Sequence, residues 1–317
     1  RAVMFKNALW GAVGIRVKWE AGLDLAVQTG FDGVDVSGAQ MRDAVAAGGA
    51  EKFLEPLRER HLVVGPWGLP TRWQGSDEEF QADLPELARQ AAAAQACGAD
   101  RCCTWVPSWS ETRGWDENWQ FHVDRFGQIA RVLGDHGVRL GLEFLGPETL
   151  RRNHPHQFIY DCDTMVKLCR EVGPNAGLLL DCWHWHASGG TREQLAALQD
   201  SDVVQVHVND APRGVELPDL VDNQRCLPGD TLVIDLPMFM QELARMGYTG
   251  PVGVEPFNAE VSAMPDVPAA FRVAASLDYL WSLMSPPAGR GRIGAGPVEG
   301  TAWPHAAWRP NCNEGMD

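Results

Sequence analysis

The chain has 317 residues and a mass of 34.8 kDa, with 45% hydrophobic and 22% charged residues. That is globular composition with enough apolar material for a large core, which excludes a disordered, collagen-like or disulfide-dependent chain. Asp and Glu total 42 against 27 Lys and Arg, a formal net charge of −15, so the chain lacks the positive charge that nucleic acids and anionic membranes demand.

Short Val/Leu-rich runs alternate with amphipathic segments along most of the chain. Strands are expected at residues 8–14, 33–36, 62–67, 101–106, 139–144, 177–181, 203–208 and 252–255. Helices are expected at 20–29, 51–60, 77–96, 117–136, 163–172, 191–199, 237–246 and 267–284, most of them ended by Gly or Pro. Eight strand–helix alternations without a hairpin signal imply parallel strands with helical crossovers. An open doubly wound sheet and a closed barrel both satisfy that pattern, and the count of eight favours a single-domain (β/α)8 TIM barrel over residues 1–284.

Two segments break the rhythm. The connection 210–235 is long and rich in Pro, Asp and Asn, and loops of that length are usually functional or disordered. Residues 285–317 are Gly/Pro-rich and read as an irregular C-terminal extension over the barrel or a neighbouring subunit. The GRGRIG run at 289–294 fits a dinucleotide fingerprint only by accident, because no strand precedes it and no helix follows.

No apolar run approaches the ~18 residues of a membrane helix. The opening RAVMFKNALWGAV has no long apolar segment, so no signal peptide is expected, and Met4 could be the natural start. The cysteines (Cys97, Cys102, Cys103, Cys162, Cys169, Cys182, Cys226 and Cys312) show no CxxC spacing. Reduced, buried thiols in a cytoplasmic protein are therefore expected.

A parallel barrel carries its active site at the C-terminal ends of its strands. Four consecutive strands end in residues able to bind a divalent metal: Glu143, Asp181, His207 and Glu255. Any one of them alone reads as a rim salt bridge or cap. Four converging charges in apolar strands need a common partner, and a cation is the simplest one. Three carboxylates and one imidazole suit Mn²⁺ first, with Mg²⁺, Co²⁺ or Zn²⁺ as the other fits.

His184 reads as a donor facing the substrate or a group backing the metal; a polar loop residue is the alternative. His186 reads as structural, and Asp210 as either a helper of the metal site or a cap. Arg213 and Arg225 lie in the long connection, where each is as readily a surface arginine as a substrate contact. Thirteen tryptophans are present, and Trp10, Trp67, Trp73, Trp105, Trp109, Trp183 and Trp185 fall at strand ends or just after them. Flat rings suit the C–H face of a sugar, and Trp10, Trp67, Trp105 and Trp183 are the candidates for substrate contact. The absence of GxSxG, HExxH and a P-loop excludes those chemistries. Of the four lysines, Lys6, Lys18, Lys52 and Lys167, only Lys18 lies near a strand end, so a Schiff-base enzyme is disfavoured.

The runs GLEFLGP, GLLLDCWHWH, VVQVHVND, RCLPGD and GVEPFN, with GFDGVDV nearer the start, resemble the xylose-isomerase-like TIM barrels of the sugar phosphate isomerase/epimerase superfamily. The resemblance runs from about residue 8 to residue 284. It implies that Glu143, Asp181, His207 and Glu255 bind one divalent metal. It also implies that the two glutamates are the acid/base pair of a keto-sugar isomerase or epimerase working through an enediolate. His184 matches a substrate-contacting histidine. Arg213, six residues past His207, matches a substrate-contacting arginine. The superfamily also contains lyases and dehydratases, and a non-catalytic sugar-binding or scaffold barrel would be expected to lack a ligand. The DNA-repair branch adds histidines after the third and fourth strands. Here those strands end in GPWG from Gly65 and TWVP from Thr104, so DNA repair is disfavoured. The partner expected is an unphosphorylated carbohydrate-like molecule, and the assembly a homo-oligomer, dimer or tetramer.

Overall fold

Backbone pairing decides between the two closures. The computed structural model describes residues 4–284. Within them, strands β1 (Phe5–Ala8), β2 (Gly33–Val36), β3 (Val63–Gly68) and β4 (Arg101–Val106) are followed by β5 (Arg139–Phe144), β6 (Ala176–Asp181), β7 (Val203–Val208) and β8 (Pro251–Val254). Each pairs in parallel with the next, and β8 closes on β1 through Phe5 opposite Pro251. The fold is the expected TIM barrel. The predicted extension 285–317 lies outside the described residues.

Helices cover the outside of the ring. The longest, Asp77–Cys97, starts at a capping box in which Ser76 and Glu79 satisfy each other's backbone N–H groups, and it ends at Gly98 with φ 72°. Leu87, Phe126, Leu140, Leu142 and Phe239 are fully buried between strands and helices. Each such side chain is worth roughly 1.5–3 kcal/mol of burial. Among the described residues no helix is long and apolar enough to cross a membrane.

Three local differences from the sequence reading have physical causes. The first strand is Phe5–Ala8, and Trp10–Val13 forms a helical turn ended by Gly14 at φ 92°. The run from Ala8 to Gly14 is apolar throughout, so periodicity cannot separate strand from helix there; pairing of Asn7 with Gly33 selects the earlier segment. A helix at Gly38–Gly48, capped by Ser37, precedes the predicted one. A small antiparallel pair, Trp109–Ser110 with His156–Gln157, joins segments far apart in sequence, so no turn signal announces it.

Candidate metal centre

Strand alternation fixes which side chains enter the bore. In parallel pairing, aligned residues share a face, and here Trp105 aligns with Glu143, Cys103 with Gly141 and Trp67 with Cys102. Glu143 and Trp105 thus face inward, while Trp67 and Cys102 face the helices. Asp181 aligns with His207, and His207 aligns with Gly253, two residues before Glu255. The four predicted ligands therefore meet at one rim of the barrel. Each offers one ligand atom, and those atoms all lie within 4.8 Å of one another.

The four groups are close enough together to hold a cation. His207 Nδ1 stands 3.4 Å from Glu255 Oε2 and 3.6 Å from Glu143 Oε1. Glu143 Oε1 and His207 Nδ1 are buried with no hydrogen-bond partner, a costly arrangement that a metal ion would relieve. Opposite ligands of a small divalent ion lie about 4.2 Å apart, twice a ~2.1 Å bond, so little contraction is needed. Without an ion, protons do the neutralising. Burial pushes Glu143 up to about 8; His207 opposes this, and the charges on Glu255 and Asp181 add to it. Burial disfavours charge on His207, yet Glu255 and Glu143 hold its imidazole well above the usual histidine range. Burial also raises Glu255, but His207 and Arg225 outweigh it and bring that carboxyl down to about 2.

Supporting groups orient the ligands. Asp181 Oδ1 accepts from Trp183 N at 2.8 Å and Asn209 Nδ2 at 3.2 Å. The Gln205 amide lies 2.9 Å from His207 Nε2. An imidazole that offers Nδ1 to a metal carries its proton on Nε2, and the amide accepts that proton when it presents its oxygen. Neither Gln205 nor Asn209 was singled out from sequence. Both lie two residues from His207, on the same face of an extended chain, and that spacing was the available signal.

Arg225 enters this cluster from the long connection. Its side chain is fully buried, and Nη1 donates to Asp181 Oδ2 at 2.8 Å and Glu255 Oε2 at 3.0 Å. Nη2 donates to Asp222 Oδ1 at 2.8 Å. Three carboxylates and one guanidinium leave a formal charge of −2, which matches a divalent ion. Asp210 brings the arginine there. Its carboxylate accepts backbone N–H bonds from Ala211, Thr231, Leu232, Val233 and Ile234, and its backbone pairs with Cys226.

His184 sits beside Arg225, with Nε2 3.3 Å from Arg225 Nη2. Gly146 N donates to His184 Nδ1 at 3.2 Å. Burial, with Arg225 adding to it, pushes this imidazole down to about 3, which keeps it neutral. A side chain at position 146 would meet His184 O at 2.0 Å, so the approach needs glycine.

The other predicted residues separate. Trp105 is 46% exposed at the inward rim, and Trp10 is half-buried with Nε1 bonded to Gly22 O. Trp67 is buried among the helices, with Nε1 bonded to Ala99 O, so it does not reach the bore. Trp183 is buried too; it donates to Asp222 and stacks behind Arg225, backing the site rather than lining it. Arg213 is exposed, and its Nε donates to Thr231 O.

Comparison with known proteins follows from this geometry. The model of the xylose isomerase-like TIM barrel family matches residues 23–282. The chain belongs to that family. Over 142 residues it is 30% identical to an inosose isomerase of Halalkalibacterium halodurans, covering 44% of this chain and 46% of that protein. The chain thus spans under half the length of that relative. It is 25% identical over 261 residues to a 3-dehydroshikimate dehydratase of Pseudomonas putida, covering 81% of this chain and 39% of that one. A xylose isomerase domain protein from Alicyclobacillus acidocaldarius superposes with a TM-score of 0.77 at 27% identity, over 89% of this chain and 99% of that one. This family member is thus similar to isomerases and dehydratases of small carbohydrate-like molecules.

Proposed function

We propose that the chain is a metal-dependent isomerase or epimerase of an unphosphorylated keto-polyol, sugar or cyclic. The supporting observation is the convergence of Glu143, Asp181, His207 and Glu255 on one point, two of their polar atoms buried without partners. These four would hold Mn²⁺, with Mg²⁺, Co²⁺ and Zn²⁺ as the other fits. The ion, when bound, supplies Lewis-acid polarisation of the substrate carbonyl. Glu143 and Glu255 stand three strands apart around the barrel, so they can address opposite faces of a carbon beside that carbonyl. One removes its proton and the other returns one. His184 offers its imidazole to an oxygen of the substrate, while Arg225, its N–H groups engaged by Asp181, Glu255, Asp222 and His184, holds the carboxylates in place. Trp105 supplies a flat wall at the mouth.

A second reading, a dehydratase, draws on the similarity to 3-dehydroshikimate dehydratase across most of this chain. The same proton removal would then expel a hydroxyl group instead of being reversed. The test is metal content by mass spectrometry, with proton exchange from an inosose or a ketohexose into deuterium oxide. About one equivalent of metal, with deuterium entering a substrate that keeps its oxygens, supports isomerisation; release of water and an ultraviolet-absorbing product supports dehydration. Glu255→Gln should slow exchange by ~10²–10⁴-fold with KM little changed. Unchanged exchange in that variant would remove Glu255 from the chemistry. The same reading places the enzyme in the cytoplasm as a homo-oligomer, a point for light scattering.

A further inference from the structure

One carboxyl near the metal cluster is used by none of the roles above. Asp35 lies on β2, where Val36 aligns with the outward-facing Trp67, so Asp35 faces the bore. Asn7 on β1 donates its amide to Asp35 Oδ1 and fixes the carboxyl's orientation. Asn7 itself is fully buried, and its Oδ1 has no partner. Among the described residues no cation lies within ion-pair distance of Asp35. The carboxyl is near enough to the metal centre to feel the charges of His207 and Glu255.

Asp35 also borders a cavity. Trp10, Val17, Trp19 and Leu23 line that cavity of about 90 Å³ together with Asp35. Its walls are mostly apolar, with Lys18 on them and one oriented acid, Asp35. That is the composition of a site for one edge of a hydroxylated ring: C–H faces against indoles, one hydroxyl against a carboxyl. The space holds several waters or such a ring edge.

We propose that Asp35, held by Asn7, is a specificity-determining residue that hydrogen-bonds a hydroxyl on the part of the polyol farthest from the metal, with the Trp10–Trp19 cavity receiving that end. The inference rests on the keto-polyol reading above. Burial pushes Asp35 up to about 7 against the Asn7 hydrogen bond, so near neutrality the carboxyl can donate as well as accept. Hydroxyl groups do both, and a site built to pair a hydroxyl discriminates strongly against the analogue that lacks it.

The experiment measures binding of two probes to the Mn²⁺-loaded protein by calorimetry: an inosose, and the deoxy analogue lacking the hydroxyl opposite the carbonyl. Wild type should prefer the inosose by roughly 10–100-fold. Asp35→Leu, matched in size, should lose that preference by weakening the inosose alone, with Mn²⁺ affinity unchanged. Asp35→Asn, which keeps a donor and an acceptor, should retain most of it. An Asp35→Leu protein that still prefers the inosose, or one that loses Mn²⁺ affinity instead, overturns the assignment. Wild-type protein that binds Mn²⁺ but neither probe overturns the keto-polyol reading, and the role of Asp35 with it. If the Leu variant does not fold, Asp35→Ala takes its place: preference lost with Mn²⁺ affinity unchanged supports the assignment, and preference kept, or Mn²⁺ affinity lost instead, refutes it.

Discussion

Replacing Arg225 with methionine tests the electrostatic logic of the centre. The side chain is fully buried and donates to Asp181, Glu255 and Asp222 at 2.8, 3.0 and 2.8 Å. Methionine keeps most of the apolar volume against Trp183 and Phe257 but removes the charge. Breaking a buried ion pair from one side costs about 3–5 kcal/mol, because the remaining carboxylates stay buried without their cation. A barrel of this size has an unfolding entropy of about 0.6 kcal/mol/K near its melting point, so the metal-free variant should melt about 5–8 °C below wild type. On the proposed ligand set, Mn²⁺ neutralises two of the same carboxylates, Asp181 and Glu255. It should therefore raise the melting temperature of Arg225→Met by several degrees more than that of wild type. Scanning calorimetry with and without Mn²⁺ reads both quantities. Metal-free melting temperatures within ~1 °C of each other, or equal shifts on adding Mn²⁺, would refute the claim that guanidinium and ion share one set of charges.

The two tryptophans that strand alternation separates should behave oppositely. Trp105→Ala should raise KM with little loss of stability. Trp67→Ala should cost about 3–5 kcal/mol in urea unfolding and leave KM near wild type; the reverse result would mean the register is wrong. His122 should make stability fall with acid. It is buried against Trp73, Phe126 and Phe158, and burial pushes it down to about 4. An unfolded histidine titrates near ~6.5, so stability is full above that pH. As pH falls the unfolded chain takes up a proton that the folded chain refuses, and the loss is complete below about 4. Between pH 7 and 4.5 the wild type should lose about 2 kcal/mol more than His122→Phe. Parallel pH profiles for the two proteins would show that the ring is not the titrating group.

The convergence of the four candidate ligands was legible because each interrupts or ends an apolar strand with a charged or metal-binding side chain, and four such interruptions in consecutive strands meet at one rim once the strands are parallel. Trp67 misled for a related reason. It also ends a strand, but one position out of phase with the inward residues, and phase is invisible until pairing is known. Asp35 carried the same signal as Glu143, a carboxylate inside GVDV, and was legible in principle. The helix Gly38–Gly48 was not, since its alanines and glycines give little apolar contrast between faces. Asp222 lies in an irregular loop where neither helical nor strand periodicity applies, so its bond to Arg225 belongs to tertiary structure alone.

Arginine placement shows where counting fails. Six residues past His207 lies Arg213, exposed and bonded to Thr231 O, whereas the guanidinium in the cluster belongs to Arg225, twelve residues further on. Lengthening a loop costs little, about 0.6 kcal/mol per doubling, so the connection can grow without penalty to the barrel. The position of its far end must then be set by something other than length. Asp210 sets it: one carboxylate gathers the N–H groups of residues 231–234 while the same residue's backbone pairs with Cys226, next to Arg225. The turn after Arg225 is equally constrained. Gly229 has φ 85°, and a Cβ there would meet the Tyr279 ring at 2.6 Å. The run Arg-Cys-Leu-Pro-Gly-Asp thus delivers a guanidinium to the candidate ligands Asp181 and Glu255 from a turn fixed by Asp210. A motif tied to a tight turn survives insertion; a spacing measured across a loop does not.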